Sequence, residues 1–373
     1  DMRRYREDRI GGVSATRRQA REARAVMFER MLVCGAGAIG GTIAAFLKRS
    51  GHPVTVADLA EDHVADIRAE GLRITGPIAQ FTVALDASAP DKIEGPFDLI
   101  LLAVKAQHTK PAVDMIGGHL SSNGLLVSVQ NGLNELLIAD LIGRDRTMGC
   151  FINFGADYIA PGHIEFGGRG PLMLGELDGR MSERLTALHE IMRDFEPNAG
   201  TTDNIFGYLW SKLAFGALLI SQTLSNVPTE QFLDDPKYRP IIHRTVGDVA
   251  IVARAEGIRM MKFQGFDAGK FATGESLVMD RAISDYAEIR RGSSKLYSGI
   301  WRDLAVRKRA TEVTYQYEPI LEMACRRGIA VPALAAAVGM IASVERGERV
   351  LSGGLADELL SIVQQTERKQ AAI

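Results

Sequence analysis

The chain has 373 residues, 46% hydrophobic and 24% charged, and its 44 Lys and Arg nearly balance 46 Asp and Glu, for a formal net charge of -2. That length exceeds what one core usually organises and implies two domains, while the ordinary composition excludes disordered and fibrous classes. The near-neutral balance excludes a nucleic-acid footprint, and no apolar run approaches the roughly 18 residues of a membrane span. Cys34, Cys150 and Cys325 are far apart with no CxxC pair, so neither a disulfide framework nor a metal site is expected, and a reducing cytoplasm fits best.

Residues 1–28 are arginine-dense, show no apolar periodicity and have no hydrophobic stretch of the secretory kind, so they read as a basic extension outside the fold. From there the pattern alternates. MLVC (31–34) is a short apolar strand, and Gly35-Ala-Gly37-Ala38-Ile39-Gly40-Gly41 opens the helical run that ends at Gly51. A second strand, PVTVAD (53–58), precedes a second helix, and GLRITG and AQFTVAL then carry strand alternation with turn glycines, which predicts a β-rich insertion. FDLILLAV (97–104) and GLLVSVQ (124–130), separated by a helix, are continuous apolar runs of the kind that parallel strands buried on both faces require. Strands alternating with helices predict an α/β fold, a Rossmann doubly wound parallel sheet over residues 29–200. Beyond Gly200 helical spacing dominates, and residues 201–373 are expected to form an all-α substrate and catalytic domain.

The glycine motif has a physical reason at each place. Gly35 permits a tight turn, Gly37 lets backbone approach a pyrophosphate, Gly40 lets helix pack on strand, and Ala38 and Ile39 open the helix whose N-terminus faces the anion. Asp58, 18 positions beyond Gly40 at the end of the second strand, is placed to accept the adenosine ribose hydroxyls. FAD is the rival dinucleotide, and no second flavin-type motif is present. Lys105 and Asn131 follow directly on two apolar strands, where ligands bind in such sheets. Alternatives are a solvated strand-end charge for Lys105 and a turn residue for Asn131, which precedes Gly132.

GAGAIGG, VKAQ (104–107), QNGLN (130–134), Trp210-Ser-Lys212-Leu213, Thr311-Glu312-Val313 and Gly328 to Pro332, in that order, resemble the ketopantoate reductases (2-dehydropantoate 2-reductases) from about residue 31 to about 345. The resemblance implies reduction of a 2-oxo acid by a nicotinamide, with substrate in the cleft between the domains. It implies Lys212 as general acid, Glu312 against the substrate, Ser298 helping to hold it, and Lys105 and Asn131 by the nicotinamide end. The chemistry asks for the same groups, because hydride delivery to a ketone builds alkoxide charge that a nearby cation or proton donor must meet. By spacing alone Lys212 is also an ordinary charge on an amphipathic helix, and Glu312 a partner for Arg307 or Arg309.

Three departures stand out. Two asparagines that the family carries four and eight residues after its lysine are Gly216 and Ile220 here, which predicts open space and an apolar wall in the substrate site. The family's NADP-binding arginine is replaced by Asp58, an acid that repels a 2′-phosphate, so NAD(H) is the expected cofactor and NADP(H) the second choice. The segment SGIWRDLAVRKRATE (298–312) is longer than the common family version. The expected function is thus an NAD(H)-preferring 2-oxo acid reductase with ketopantoate as leading substrate, no metal, no nucleic acid or membrane partner, and a homodimer as an allowed assembly. The alternatives are a related 2-hydroxyacid dehydrogenase acting on a different acid, or a non-catalytic NAD(H)-sensing Rossmann protein.

Overall fold

The structure is a computed structural model that describes residues 27–292 and 296–371. Residues 1–26 of the basic extension lie outside the described residues. The extension does not reach residue 28, because Phe28 is 4% exposed and its ring belongs to the sheet core. The described residues fall into two compact units. One holds the chain up to Val104, His108–Gln130 and Glu135–Asp203; the other holds Lys105–Gln107, Asn131–Asn134 and the chain from Asn204 onward.

In the first unit, β1 (Met31–Cys34), β2 (Val54–Ala57), β5 (Asp86–Ser88), β6 (Phe97–Leu102), β7 (Leu120–Ser128) and β8 (Thr147–Ile152) run parallel in the order β5-β2-β1-β6-β7-β8, and β11 (Leu172–Glu176) and β12 (Gly200–Thr201) extend the β8 edge, β11 antiparallel to β8. The chain order reverses between β1 and β6, which is the topological switch point where doubly wound sheets bind ligands. Helix α1 (Ala38–Arg49) follows β1 and buries Gly40, Gly41, Ala44 and Ala45, small residues that allow close approach. Helices α2 (Glu61–Glu70), α3 (Thr109–Ile116), α4 (Asn134–Ile142) and α5 (Glu183–Met192) complete the unit's helical layers. The predicted β insertion is a separate sheet, β4-β3-β10-β9, built from β3 (Leu72–Thr75), β4 (Phe81–Val83), β9 (Gly155–Ala160) and β10 (His163–Gly168). It packs against α1, where Phe46 meets the rings of Phe81 and Phe166 edge-on at 5.2 and 5.5 Å.

The second unit is helical. α6 (Ile205–Ser225) has a single charge, Lys212, in 21 residues and buries most of its surface, as a central helix must. It packs along α8 (Arg239–Ala255), and both are covered by α11 (Pro332–Glu345) and α12 (Gly354–Ala371), with α7 (Thr229–Asp234), α9 (Ser276–Arg290) and α10 (Val313–Arg327) around them. Helix α10 starts at Val313. Before it, Arg302–Val306 forms a π-helical turn, which absorbs extra residues in a helix. No helix among the described residues is long and apolar enough to cross a membrane.

Candidate active site

The turn between β1 and α1 behaves as its glycines dictate. Gly35 has φ +94°, and a Cβ there would lie 2.8 Å from the Val104 nitrogen. A Cβ on Gly40 would meet that of Ala103 at 2.7 Å, so both glycines are forced by the approach of the segment that follows β6. Gly37 is different, since nothing stands within 4 Å of where its Cβ would be. Its freedom is toward open space at the N-terminus of α1, which has no side-chain cap and no acid in its first turn. Those exposed backbone donors and that opening fit the pyrophosphate of a dinucleotide. Ala38 and Ile39 supply the first turn of the helix.

Asp58 closes the other side of the turn. Its Oδ2 accepts the Ala36 N–H at 2.7 Å and its Oδ1 accepts the Ala60 N–H at 2.9 Å, just before α2. Each oxygen keeps a lone pair for a hydroxyl. The Cys34 thiol, one residue before the turn, is pushed up to about 12 by burial and by the Asp58 charge, so it is no nucleophile. Among the described residues no three His, Cys, Asp or Glu side chains are grouped to hold a metal.

The second gathering of functional side chains is in the helical unit. Glu312 stands at the N-terminus of α10, where the helix dipole favours an acid, and its Oε2 accepts the Ala106 N–H at 3.0 Å and the Gln316 Nε2 at 3.5 Å. Gly132, at φ +105°, would bring a Cβ to 3.4 Å from Gln316. The segments Lys105–Gln107 and Asn131–Asn134 therefore share the foot of α10 with Glu312. Lys105 is half-buried and Asn131 exposed, with the Asn131 carbonyl accepting from Asn134 Nδ2 at 2.8 Å. Arg307 and Arg309 do not pair with Glu312; both bind Asp303 at 2.9 Å. Thr311 fixes the entry to α10, donating its backbone N–H to Glu345 at 2.7 Å.

Lys212, Gly216 and Leu219 form a half-exposed stripe on α6. The structure corrects the expectation that Gly216 opens space there. A Cβ at Gly216 would run into the Tyr317 hydroxyl, which fills the room the missing side chain leaves. Tyr317 is 1% exposed and donates its O–H to the Leu213 carbonyl at 2.5 Å; burial pushes the phenol well up, so the proton stays. Ile220, expected as a wall, is 0% exposed and lies in the packed interior of the unit. Ser298 is buried as well. Thr223 donates to the Leu219 carbonyl at 2.8 Å, so at the 2.9 Å contact between the two hydroxyls Ser298 is the donor, while its oxygen accepts the Trp301 N–H at 3.0 Å.

Other residues matter beside these, of which only Gln130, within QNGLN, was marked in the sequence. His63 reaches the glycine turn at Ala36, and Gln130 ties the ends of β6 and β7 by donating to the Val104 carbonyl and the Thr109 hydroxyl, both at 2.8 Å. Glu135, in the first turn of α4, is fully buried with no hydrogen-bond partner within normal distance of either oxygen. Burial pushes its carboxyl up to about 8, against a smaller downward pull from its own backbone N–H and the Ser128 hydroxyl. Only a side chain at a strand end, Gln130, carried a positional signal.

These motifs can be set against known proteins. The family described as Ketopantoate reductase PanE/ApbA matches residues 31–179, and Ketopantoate reductase PanE/ApbA C terminal matches residues 204–345. The chain belongs to the ketopantoate reductase family. It is 23% identical over 320 residues to the 2-dehydropantoate 2-reductase of Halobacterium salinarum, covering 85% of this chain and 99% of that protein. Among solved structures, the 2-dehydropantoate 2-reductase of Geobacter metallireducens GS-15 superposes with a TM-score of 0.71 at 25% identity, over 86% of this chain and 100% of that one. D-mandelate dehydrogenase with NADH and anilino(oxo)acetate shares the fold, with a TM-score of 0.74 at 20% identity over 85% and 98% of the two chains. The first family segment lies in the sheet unit except for Lys105–Gln107 and Asn131–Asn134, and the second, with Lys212, Ser298 and Glu312, lies in the helical unit.

Proposed function

We propose that this member of the ketopantoate reductase family reduces a small 2-oxo acid to the 2-hydroxy acid, with ketopantoate as leading substrate and NADH as preferred reductant. The carrying observation is the Ala106 N–H on the Glu312 carboxylate, since it gathers VKAQ, QNGLN and TEV, spread over some 200 positions of sequence, at the foot of one helix. A bound nicotinamide supplies the hydride. Gly35, Gly37 and Gly40 hold its pyrophosphate and Asp58 its ribose hydroxyls, and the Asp58 carboxylate disfavours a 2′-phosphate. Lys105 and Asn131 flank the nicotinamide end.

In this reading Lys212 gives a proton to the carbonyl oxygen as alkoxide charge develops, and Glu312 orients the substrate. Ser298 acts through Thr223 on α6 rather than with a free hydroxyl. A second reading is favoured by the exchange of two family asparagines for Gly216 and Ile220 with Tyr317 filling the gap: a more apolar 2-oxo acid, as the fold shared with D-mandelate dehydrogenase allows. A reducing, cytoplasmic setting suits the three free cysteines, and a homodimer is the assembly to test by light scattering.

The test is a steady-state screen of purified protein with NADH and NADPH against ketopantoate and 2-oxo acids of rising apolar bulk. Turnover of ketopantoate at the highest kcat/KM supports the first reading. A larger kcat/KM for an aromatic 2-oxo acid selects the second, and no oxidation of either nucleotide with any acid leaves a non-catalytic NAD(H)-binding protein.

A further inference from the structure

We infer that His63 is a positioning residue of the dinucleotide site, one that holds the Ala36 carbonyl of the glycine turn while Asp58 holds the Ala36 N–H. The inference rests on the dinucleotide reading of that turn. His63 lies on α2, 1% exposed, and both ring nitrogens are engaged. Gly162 donates its backbone N–H to Nδ1 at 2.9 Å, and Nε2 lies 2.9 Å from the Ala36 carbonyl. A backbone N–H can only donate and a carbonyl can only accept. The ring is therefore neutral, with its proton on Nε2 and its lone pair on Nδ1.

With Asp58 accepting the Ala36 N–H at 2.7 Å, both polar groups of residue 36 are fixed by side chains. That residue lies between Gly35, strained at φ +94°, and Gly37, the open position of the turn. Rotation of its peptides would swing the backbone donors that face a pyrophosphate. His63 passes this restraint to the small sheet, because Gly162 forms the β9–β10 turn at φ +64° and its carbonyl accepts the Arg73 N–H of β3 at 2.9 Å. Ile164 of β10 also stands against Gly41, where a Cβ would collide with it. The insertion thus becomes a brace for the glycine turn. Tyr158 of β9 closes over the imidazole with ring centroids 5.0 Å apart.

Two measurements test this. Ring nitrogen-15 NMR of the unmodified protein at neutral pH should show His63 with Nε2 protonated and Nδ1 unprotonated; a proton on Nδ1 overturns the clamp without any variant. His63→Phe keeps the bulk and leaves two buried backbone groups unpaired, so Kd for NADH, followed by nicotinamide fluorescence, and KM should rise about tenfold or more with kcat within about twofold. His63→Gln places an amide oxygen and nitrogen where the ring nitrogens were and should stay within about threefold of the unmodified protein. If His63→Phe fails to fold, His63→Gln decides alone, and a folded His63→Gln that binds NADH more than about tenfold more weakly overturns the inference. A folded His63→Phe with unchanged Kd, or with kcat lowered at unchanged KM, also overturns it. Should the unmodified protein bind neither NADH nor NADPH, the dinucleotide reading itself falls, a failure visible before any substitution.

Discussion

The glycine turn and the face of α6 solve the problem of presenting chemistry in opposite ways. At the turn, the backbone is the presented surface and side chains are absent or grip it: Gly37 is open, and Asp58 and His63 hold Ala36. On α6 the side chains are the surface, and they meet partners from far along the chain, Tyr317 on the Leu213 carbonyl and Ser298 on Thr223. A backbone site tolerates few substitutions, because it is defined by what is absent. A side-chain site can be filled from a different helix, as the Tyr317 hydroxyl fills the room beside Gly216.

The comparison breaks first at Lys212. If α6 presents the proton donor, Lys212→Ala should lower kcat by roughly 100-fold to 10,000-fold while the Kd for NADH, set by the other region, stays within about twofold. Stopped-flow single turnovers and a fluorescence titration separate the two quantities. Should Lys105→Ala abolish turnover and Lys212→Ala barely change it, the donor belongs to the segment after β6 instead.

The next effect lies in the sheet unit and is read in stability against pH. Glu135 has its carboxyl at about 8 in the fold against 4.5 when exposed, so the fold prefers the protonated form. Its contribution is fully present below pH 4.5 and is lost as pH rises toward 8, at up to about 1.4 kcal/mol per pH unit. Glu135→Gln removes this loss. Its unfolding free energy relative to the unmodified protein should rise between pH 5 and pH 8, with an upper bound of roughly 3 kcal/mol near pH 7, read in urea melts. A difference that does not change with pH would mean that Glu135 is already ionised in the fold.

Those two side chains mark how far the sequence could be read. The doubly wound sheet, the helical second unit and the glycine turn were legible because their signals are local: runs of apolar residues, a helix period, and glycines at fixed offsets from one strand. Lys212 was legible as one charge in an apolar helix. His63 and Glu135 were not, because their meaning is set by a contact across 99 residues to Gly162 and by burial. The space expected at Gly216 was read from the residue alone, and only its distant partner shows that it is filled. For Glu312, pairing with Arg307 or Arg309 was an open alternative, and Asp303 takes both arginines.

A smaller effect concerns cofactor choice. Asp58 holds the Ala36 and Ala60 N–H groups, so arginine in its place would damage the turn along with any selectivity against a 2′-phosphate. Asp58→Asn keeps one acceptor oxygen and removes the charge. It should narrow the NADH over NADPH preference in kcat/KM by about tenfold, near 1.4 kcal/mol, with a rise in KM for NADH as well. Equal efficiency with both nucleotides in the unmodified protein would remove Asp58 as the selector.

The smallest effect tests whether Gly216 and Tyr317 are one device. Alanine in a helix interior is usually favoured over glycine by roughly 1 kcal/mol, yet a Cβ at Gly216 would meet the Tyr317 hydroxyl and push it off the Leu213 carbonyl. Gly216→Ala should therefore destabilise by about 1 kcal/mol net, since overpacking costs about 1–3 kcal/mol. The ring carbon beneath the hydroxyl stands 3.5 Å from that Cβ, an ordinary contact, so in a Tyr317→Phe background the same alanine should be neutral or stabilising. A double-mutant cycle in urea isolates the coupling, because each substitution alone also carries a helix or hydrogen-bond term that cancels in the cycle. Additive effects would show that the glycine serves some purpose other than room for the phenol. A coupling near 1–2 kcal/mol would tie the loss of the family's asparagine to the arrival of the tyrosine, and would make the substrate face of α6 a property of two helices rather than one.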